Sequence, residues 1–177
     1  MAETLILRPN SDNTKTYFVG VGDASNLYAN VDEASKNEAD YNYIETLGYN
    51  DLLYGFPDVA VNMGAVSKVT VKMYLKRYGD QNRNKLAVKI GSTVYYGDEF
   101  TPGTSTTLYT KEWTVKPSDS SAWTKSDIDA LVAGAAHKGH YVAGKGGLPG
   151  AYYGAYEYQT WVEVEYTEAK KAKIIIF

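Results

Sequence analysis

The chain has 177 residues and is 44% hydrophobic, which is enough for one domain with a sizeable apolar core. Its formal net charge is −3, so it lacks the excess of Lys and Arg that a protein binding the phosphate backbone carries, and no nucleic-acid partner is expected. It contains no cysteine, so its composition does not indicate a redox compartment.

The N-terminal residues carry no targeting pattern. Met1–Arg8 has neither the basic n-region nor the long apolar h-region of a secretory signal. No apolar run in the chain approaches the ~20 residues that a membrane-spanning helix needs, so no membrane partner is expected. These features predict that the protein is made in a cytoplasm or that a leader has been removed, with an extracellular or cell-surface location as the alternative.

Short runs in which apolar and polar residues alternate predict strands with one buried and one exposed face. In chain order they are Leu5–Leu7, Tyr17–Val21, Asn42–Thr46, Lys68–Lys76, Lys85–Ile90, Thr93–Tyr96, Leu108–Val115 and Trp161–Tyr166. The residues predicted to form the core are Val69, Val71, Met73, Leu86, Val88, Ile90, Val162 and Val164.

Several short strands joined by polar turns predict an all-β fold, an antiparallel β-sandwich of the jelly-roll-like kind with one short helix. The polar linker at 78–84 predicts that the two strands beside it form a hairpin or lie as neighbours. The stretches 23–40, 47–64 and 137–156 are expected to be irregular. We predict a single sandwich domain over residues 1–166, followed by a C-terminal extension over 167–177.

An acidic group lies in the first irregular stretch. Carboxylate oxygens are the ligands that calcium prefers. The group is therefore a weak calcium candidate, although its spacing does not match an EF-hand loop, and solvated loop acids are the alternative. Its members are Asp32, Glu33, Glu38 and Asp40.

One helix is predicted after residue 123. Thr124 and Asp127 have the spacing of a capping box, with Asp in place of the usual Glu. Ile128, Leu131 and Val132 then make one apolar stripe at helical spacing. Gly134 is the expected end of this helix.

The sequence offers no catalytic motif. It has no Cys nucleophile and no Gly-x-Ser-x-Gly elbow, and nothing singles out a pair of carboxylates. His137 and His140 have a spacing that could serve a metal on one helical face, but the segment is rich in Gly, and we expect solvated loop histidines. No catalytic residue, no cofactor and no enzymatic activity are therefore predicted.

Seventeen tyrosines indicate a surface built for contact, because tyrosine supplies a large contact area at low entropic cost. The Gly- and Tyr-rich stretch Gly139–Tyr158 is predicted to be an exposed loop that binds a neighbouring subunit or a glycan. The candidate contact residues there and just beyond it are Tyr141, Tyr152, Tyr153, Tyr156 and Trp161.

The C-terminal extension is predicted to work between chains. A basic spacer over 167–173 precedes four apolar residues, Ile174, Ile175, Ile176 and Phe177. Exposed apolar segments of this kind favour burial against a groove or an exposed strand. The sheet edge or groove of a neighbour is the favoured destination, and the domain's own sheet is the alternative.

Four segments in a fixed order resemble a diverse group of jelly-roll-like domains, akin to carbohydrate-binding modules, in virion proteins of tailed phages and related bacterial surface proteins. They are Leu5–Asn10, Asn26–Ser35 with its continuation to Ile44, Ala122–Gly134, and Gln159–Tyr166. The resemblance implies a structural or attachment role in a particle, and it carries no catalytic residue.

These observations predict a non-enzymatic structural protein of a virus particle, most concretely an accessory or decoration protein on a phage capsid. Its expected partners are other virion proteins, the major capsid protein and further copies of itself. The alternatives are a carbohydrate-binding or adhesion module of a tail fibre or cell surface, with a glycan as partner, and a subunit of an extracellular filament.

Overall fold

The structure is a computed structural model that describes residues 1–77, 82–143 and 150–169. Its elements in chain order are β1 (Ala2–Leu7), β2 (Ser11–Thr14), β3 (Phe18–Val21), the 3-10 helix η1 (Leu27–Asn30), β4 (Tyr41–Ile44), β5 (Gly48–Gly55), β6 (Met63–Arg77), β7 (Arg83–Ile90), β8 (Thr93–Tyr96), β9 (Thr107–Trp113), α1 (Lys125–Asp129), β10 (Val132–Val142), β11 (Ala151–Tyr153) and β12 (Ala155–Glu168). Among the described residues, no helix has the length and apolar character needed to cross a membrane.

Two antiparallel sheets form a sandwich. Sheet one has the strand order β3-β4-β12-β6-β9, and β1 also pairs with β12. Sheet two has the order β2-β5-β10-β7-β8, and β11 also pairs with β10. The predicted fold class, an all-β antiparallel sandwich with a short helix, is confirmed.

The alternating strands place their apolar residues between the two sheets. Val71 of β6, Val162 of β12 and Val88 of β7 are all fully buried in one apolar cluster that both sheets share. The other predicted core residues are buried as well, except Ile90, which is half-buried and packs against the edge of this cluster. The alternation therefore identified the inner face of each strand correctly.

The predicted pairing of β6 with β7 is wrong. β6 pairs with β12 and β9 in sheet one, whereas β7 pairs with β10 and β8 in sheet two. The connection between them crosses from one sheet to the other. Both strands alternate because each faces the same core, so alternation alone does not reveal which strands are neighbours.

The helix begins where the sequence predicts and ends earlier. The Thr124 hydroxyl accepts from the backbone N–H of Asp127, and the Asp127 carboxylate accepts from the backbone N–H of Thr124 at 2.8 Å. The helix ends at Asp129 because β10 begins at Val132. The predicted end at Gly134 is therefore wrong.

We expect Asp127→Asn to lower the free energy of unfolding by about 0.5–1 kcal/mol at pH 7. Burial alone would raise the pKa of Asp127, but its hydrogen bonds with Thr124 and its contact with Lys116 hold the pKa below the usual value. A lowered folded-state pKa gives stability that is present above the unfolded-state pKa and is lost as pH falls through the folded value. Urea denaturation at pH 7 and below about pH 3 checks this, because the difference between variant and parent should shrink in acid. A difference that is unchanged in acid would contradict the assignment.

Candidate functional site

His137 lies in the core, not in a solvated loop as predicted. It is on β10, the central strand of sheet two, and its side chain is 1% exposed. Alternation along β10 places it on the same inner face as Ala133 and Ala135. The Gly-rich sequence suggested a loop, but Gly134 and Gly139 are both paired in the sheet.

The partner of His137 comes from the opposite sheet. Glu157 on β12 is fully buried, and its Oε2 lies 3.2 Å from His137 Nε2. Thr160 donates from its hydroxyl to Glu157 Oε1 at 2.5 Å. The ring of Phe18 packs edge-on against the imidazole, with 5.4 Å between ring centroids. A polar contact therefore joins the two sheets inside the sandwich.

Further buried polar side chains continue from this pair. Asn42 Nδ2 donates to the Tyr54 hydroxyl at 3.0 Å and to the backbone carbonyl of Leu27 at 2.8 Å. Asn30 Nδ2 donates to Asn42 Oδ1 at 2.9 Å. Burial and the nearby Glu157 carboxylate raise the pKa of Tyr54 well above its usual value.

We call these six residues the buried polar cluster: Asn30, Asn42, Tyr54, His137, Glu157 and Thr160. Each is at most 1% exposed. They join η1 to both sheets, and they present no surface to a substrate. The cluster is therefore a structural feature of the core. Among the described residues the ring nitrogens of His137 form no hydrogen bond, so its 3.2 Å approach to Glu157 is a polar contact between the two sheets.

Tyr156 lies on a surface patch, whereas Tyr158 beside it is buried. Tyr156 packs against Tyr41 with ring centroids 4.6 Å apart and against Tyr43 at 5.9 Å. These three half-buried rings lie on the outer face of sheet one, because Asn42 and Glu157, which alternate with them, point inward. We call Tyr41, Tyr43 and Tyr156 the tyrosine patch.

Trp161 lies on the same outer face, in contact with other residues. Its ring is 5.8 Å from that of Tyr74, and the Lys72 ammonium lies 5.9 Å from its centroid. Its indole N–H donates to Glu163 at 3.1 Å. The structure therefore brings Tyr156 and Trp161 to one face of the sandwich without placing them in one ring cluster.

The predicted contact loop over Gly139–Tyr158 is wrong as a description of the backbone. β10 continues to Val142, β11 pairs with it, and β12 begins at Ala155. Tyr141 is exposed by 47% on this extension of sheet two. Residues 144–149 lie outside the described part of the chain.

For the remaining candidate contact residues, the structure describes either the backbone alone or nothing. The backbone of β11 places Tyr152 opposite Tyr141, and Tyr153 opposite His140. The apolar segment Ile174–Phe177 lies outside the described residues.

The acidic candidates for calcium do not converge. Glu38 forms an ion pair with Lys36, and Asp40 accepts a hydrogen bond from Asn37 at 2.7 Å. Burial raises the pKa of Glu33. Within residues 1–77, 82–143 and 150–169, no group of three or more His, Cys, Asp or Glu side chains is arranged to hold a metal.

A second aromatic surface was not predicted from the sequence. Tyr49 on β5 and Tyr96 on β8 are 37% and 46% exposed on the outer face of sheet two. Lys85 of β7 lies between them, with its ammonium 4.7 Å from the Tyr49 centroid and 5.9 Å from the Tyr96 centroid. Tyr96 donates to Asp51 at 3.0 Å, and Tyr49 donates to Glu99. We call these five residues the sheet-two aromatic surface.

The hydroxyls of this surface are held in their neutral, donating form. Burial and the hydrogen bond to Asp51 raise the pKa of Tyr96 to about 12. Burial and Glu99 raise the pKa of Tyr49 further. The alternation of Tyr49 and Asp51 within β5 is the one sequence signal that could have identified part of this surface.

A cleft of about 240 Å³ opens at one side of the sandwich, between β9 and the segment that follows β8. Phe100 and Tyr109 stack inside it with ring centroids 4.4 Å apart, and Leu86 contributes a further apolar wall. Lys111 bridges the opening to Asp98 at 3.4 Å. The cleft thus has an apolar interior and a charged rim.

No protein-family model matches the chain, and no curated protein matches it significantly in sequence.

Proposed function

We propose that the chain is a non-enzymatic structural protein of a virus particle, most concretely an accessory or decoration protein on a phage capsid. Its partners would be the major capsid protein and further copies of itself. The tyrosine patch is the observation that carries this proposal. The ordered segments that resemble jelly-roll-like virion domains give it its particular form.

The tyrosine patch has the character of a protein contact surface. Tyr41, Tyr43 and Tyr156 are half-buried against one another, so binding a partner would cost little further side-chain entropy. Polar groups lie around the rings, including Glu45, which accepts a hydrogen bond from Tyr43 at 3.0 Å. An aromatic centre with a polar rim is typical of interfaces whose binding energy is concentrated in a few residues.

The placement of the polar core residues supports a role without catalysis. The candidate acid–base groups with unusual surroundings, His137, Glu157 and Tyr54, are at most 1% exposed. A general acid or base has to come within hydrogen-bond distance of the substrate. Groups enclosed between the two sheets do not meet this requirement.

Attachment can be tested with paired surface variants. We expect Tyr43→Ser combined with Tyr156→Ser to lower occupancy on the assembled particle by about tenfold or more, because truncated aromatic anchors weaken interfaces strongly. Tyr96→Ser on the opposite face is the matched control and should leave occupancy unchanged. Occupancy is measured by quantitative mass spectrometry of purified particles, and the melting temperature of each variant shows that it folds. Equal occupancy for all variants would reject the tyrosine patch as the attachment surface.

A second candidate function is glycan binding at the sheet-two aromatic surface. Its exposed tyrosine rings can stack on a sugar, and Asp51, Lys85 and Glu99 supply polar groups that could orient sugar hydroxyls. A glycan array distinguishes this function from the first. Binding that is lost in Tyr49→Ser and Tyr96→Ser, and kept in Tyr43→Ser, would favour the glycan function over capsid decoration.

A further inference from the structure

The edge strand β9 and the cleft beside it form an unpartnered surface. In the described part of the chain β9 pairs with β6 alone, so its other edge has no strand beside it. Most of its side chains are exposed. An edge of this kind accepts an additional strand through main-chain hydrogen bonds, and a neighbouring apolar pocket then selects the side chains.

More acidic than basic side chains line the rim of the cleft. The Asp98 side chain is fully exposed, and Glu99, which pairs with Arg83, is about half exposed. Lys111 is the basic residue that lines the opening, and it is the residue paired with Asp98. A segment that fits this surface would combine apolar side chains for the interior with positive charge for the rim.

The C-terminal segment of the chain has this composition. Lys170, Lys171 and Lys173 precede the run Ile174–Phe177. In a strand, alternate residues face the same side, so Ile174 and Ile176 would face the cleft together. The lysines would then lie near the acidic rim.

The tail that follows Glu168 is too short for its apolar residues to reach the cleft of the same chain. Glu168 pairs with Met63 of β6, whereas Lys111, beside the cleft, pairs with Val71 of the same strand. These two positions on β6 are about 26 Å apart at the usual rise of a strand. Ile174 is six residues beyond Glu168, a reach of about 20 Å even when fully extended.

We therefore propose that the segment Lys170–Phe177 of one copy adds as a strand along β9 of a second copy and fills the cleft lined by Leu86, Phe100 and Tyr109. This contact would join copies of the proposed particle protein, and in that sense it rests on the proposed function. Self-association is tested with purified protein alone. It can therefore fail while attachment to the particle succeeds, and attachment can fail while self-association succeeds.

The test is sedimentation velocity of the full chain over a range of concentrations. We expect concentration-dependent self-association that Ile174→Asp combined with Ile176→Asp weakens by about tenfold or more, and that added salt also weakens. Asp98→Lys should weaken it similarly, whereas Asp58→Lys, an equal charge change at an exposed loop position away from the cleft, should not.

Charge exchange gives the sharper result. Lys171→Glu with Lys173→Glu should weaken association, and adding Asp98→Lys to that variant should restore part of it. A full chain that stays monomeric at every concentration would overturn the proposal. So would equal effects of Asp98→Lys and Asp58→Lys, or a large fall in monomer melting temperature on tail substitution, which would place the tail in its own core.

Discussion

Glu157→Ala is expected to lower the free energy of unfolding by about 3–5 kcal/mol. The substitution removes one member of a buried polar pair and leaves the polar groups that contact it without a partner. His137 would lose the carboxylate 3.2 Å away, and the Thr160 hydroxyl would lose its acceptor. Neither group can turn to water, since both are at most 1% exposed. Chemical denaturation of parent and variant measures the loss directly.

A double-mutant cycle separates the pair from its surroundings. His137→Leu should destabilise strongly alone, but His137→Leu combined with Glu157→Met should cost far less than the sum of the two single changes, because apolar residues of similar volume can replace a buried pair. Additive costs would mean that the two side chains do not depend on each other. Glu163→Gln, on the outer face of sheet one, is the control for loss of a carboxylate and should cost less than about 1 kcal/mol.

Gly134→Ala is expected to destabilise the protein by about 3 kcal/mol or more, or to prevent folding, because the added methyl group meets backbone that cannot move aside. A Cβ at this position would lie 2.1 Å from the Leu52 carbonyl oxygen and 3.0 Å from the Leu53 Cα. Both belong to β5, the neighbouring strand in the centre of sheet two. The yield of folded protein and its denaturation midpoint measure the effect.

Gly103→Ala is the matched control for this change. The atoms nearest to a Cβ at Gly103 lie 3.6 Å away, which is ordinary van der Waals contact. Its substitution should change stability by no more than about 0.5 kcal/mol. Similar losses at the two positions would show that the close approach at Gly134 is not the cause.

The sequence predicted the strands whose two faces differ. β6 and β7 contain the predicted runs, because each has an apolar inner face and a polar outer face, and β8 has the predicted bounds Thr93–Tyr96. β5 was missed because Leu52, Leu53 and Tyr54 are buried in succession, so no alternation marks them. A strand that is covered on both faces resembles an irregular apolar stretch.

β10 was missed for a different reason. Gly134, Ala135 and Ala136 follow one another in it, and small residues carry little strand signal. They are small because neighbouring strands and side chains approach them closely: the Ala136 side chain is buried below the sheet-two aromatic surface. Because β10 was not predicted, His137 was expected in a loop, and its contact with Glu157 was not expected.

The candidate surface residues also divide into those that one segment of the sequence indicates and those that only the strand order brings together. Tyr156 and Trp161 were found because they lie within, or just beyond, the Gly- and Tyr-rich stretch Gly139–Tyr158. Tyr49 and Tyr96 were missed because only the strand order β5-β10-β7-β8 brings them to one face. A single sequence does not reveal that order, since residues from separate strands become neighbours only through long-range pairing.

Cross-linking mass spectrometry of purified particles tests the proposed function most directly. Lysine cross-links to another virion protein should come from the outer face of sheet one, where Lys36, Lys72 and Lys76 lie near the tyrosine patch and Trp161. Lys85 and Lys138, on the outer face of sheet two, should give few or none. Particles that lack the chain, or cross-links that come only from sheet two, would contradict the proposal.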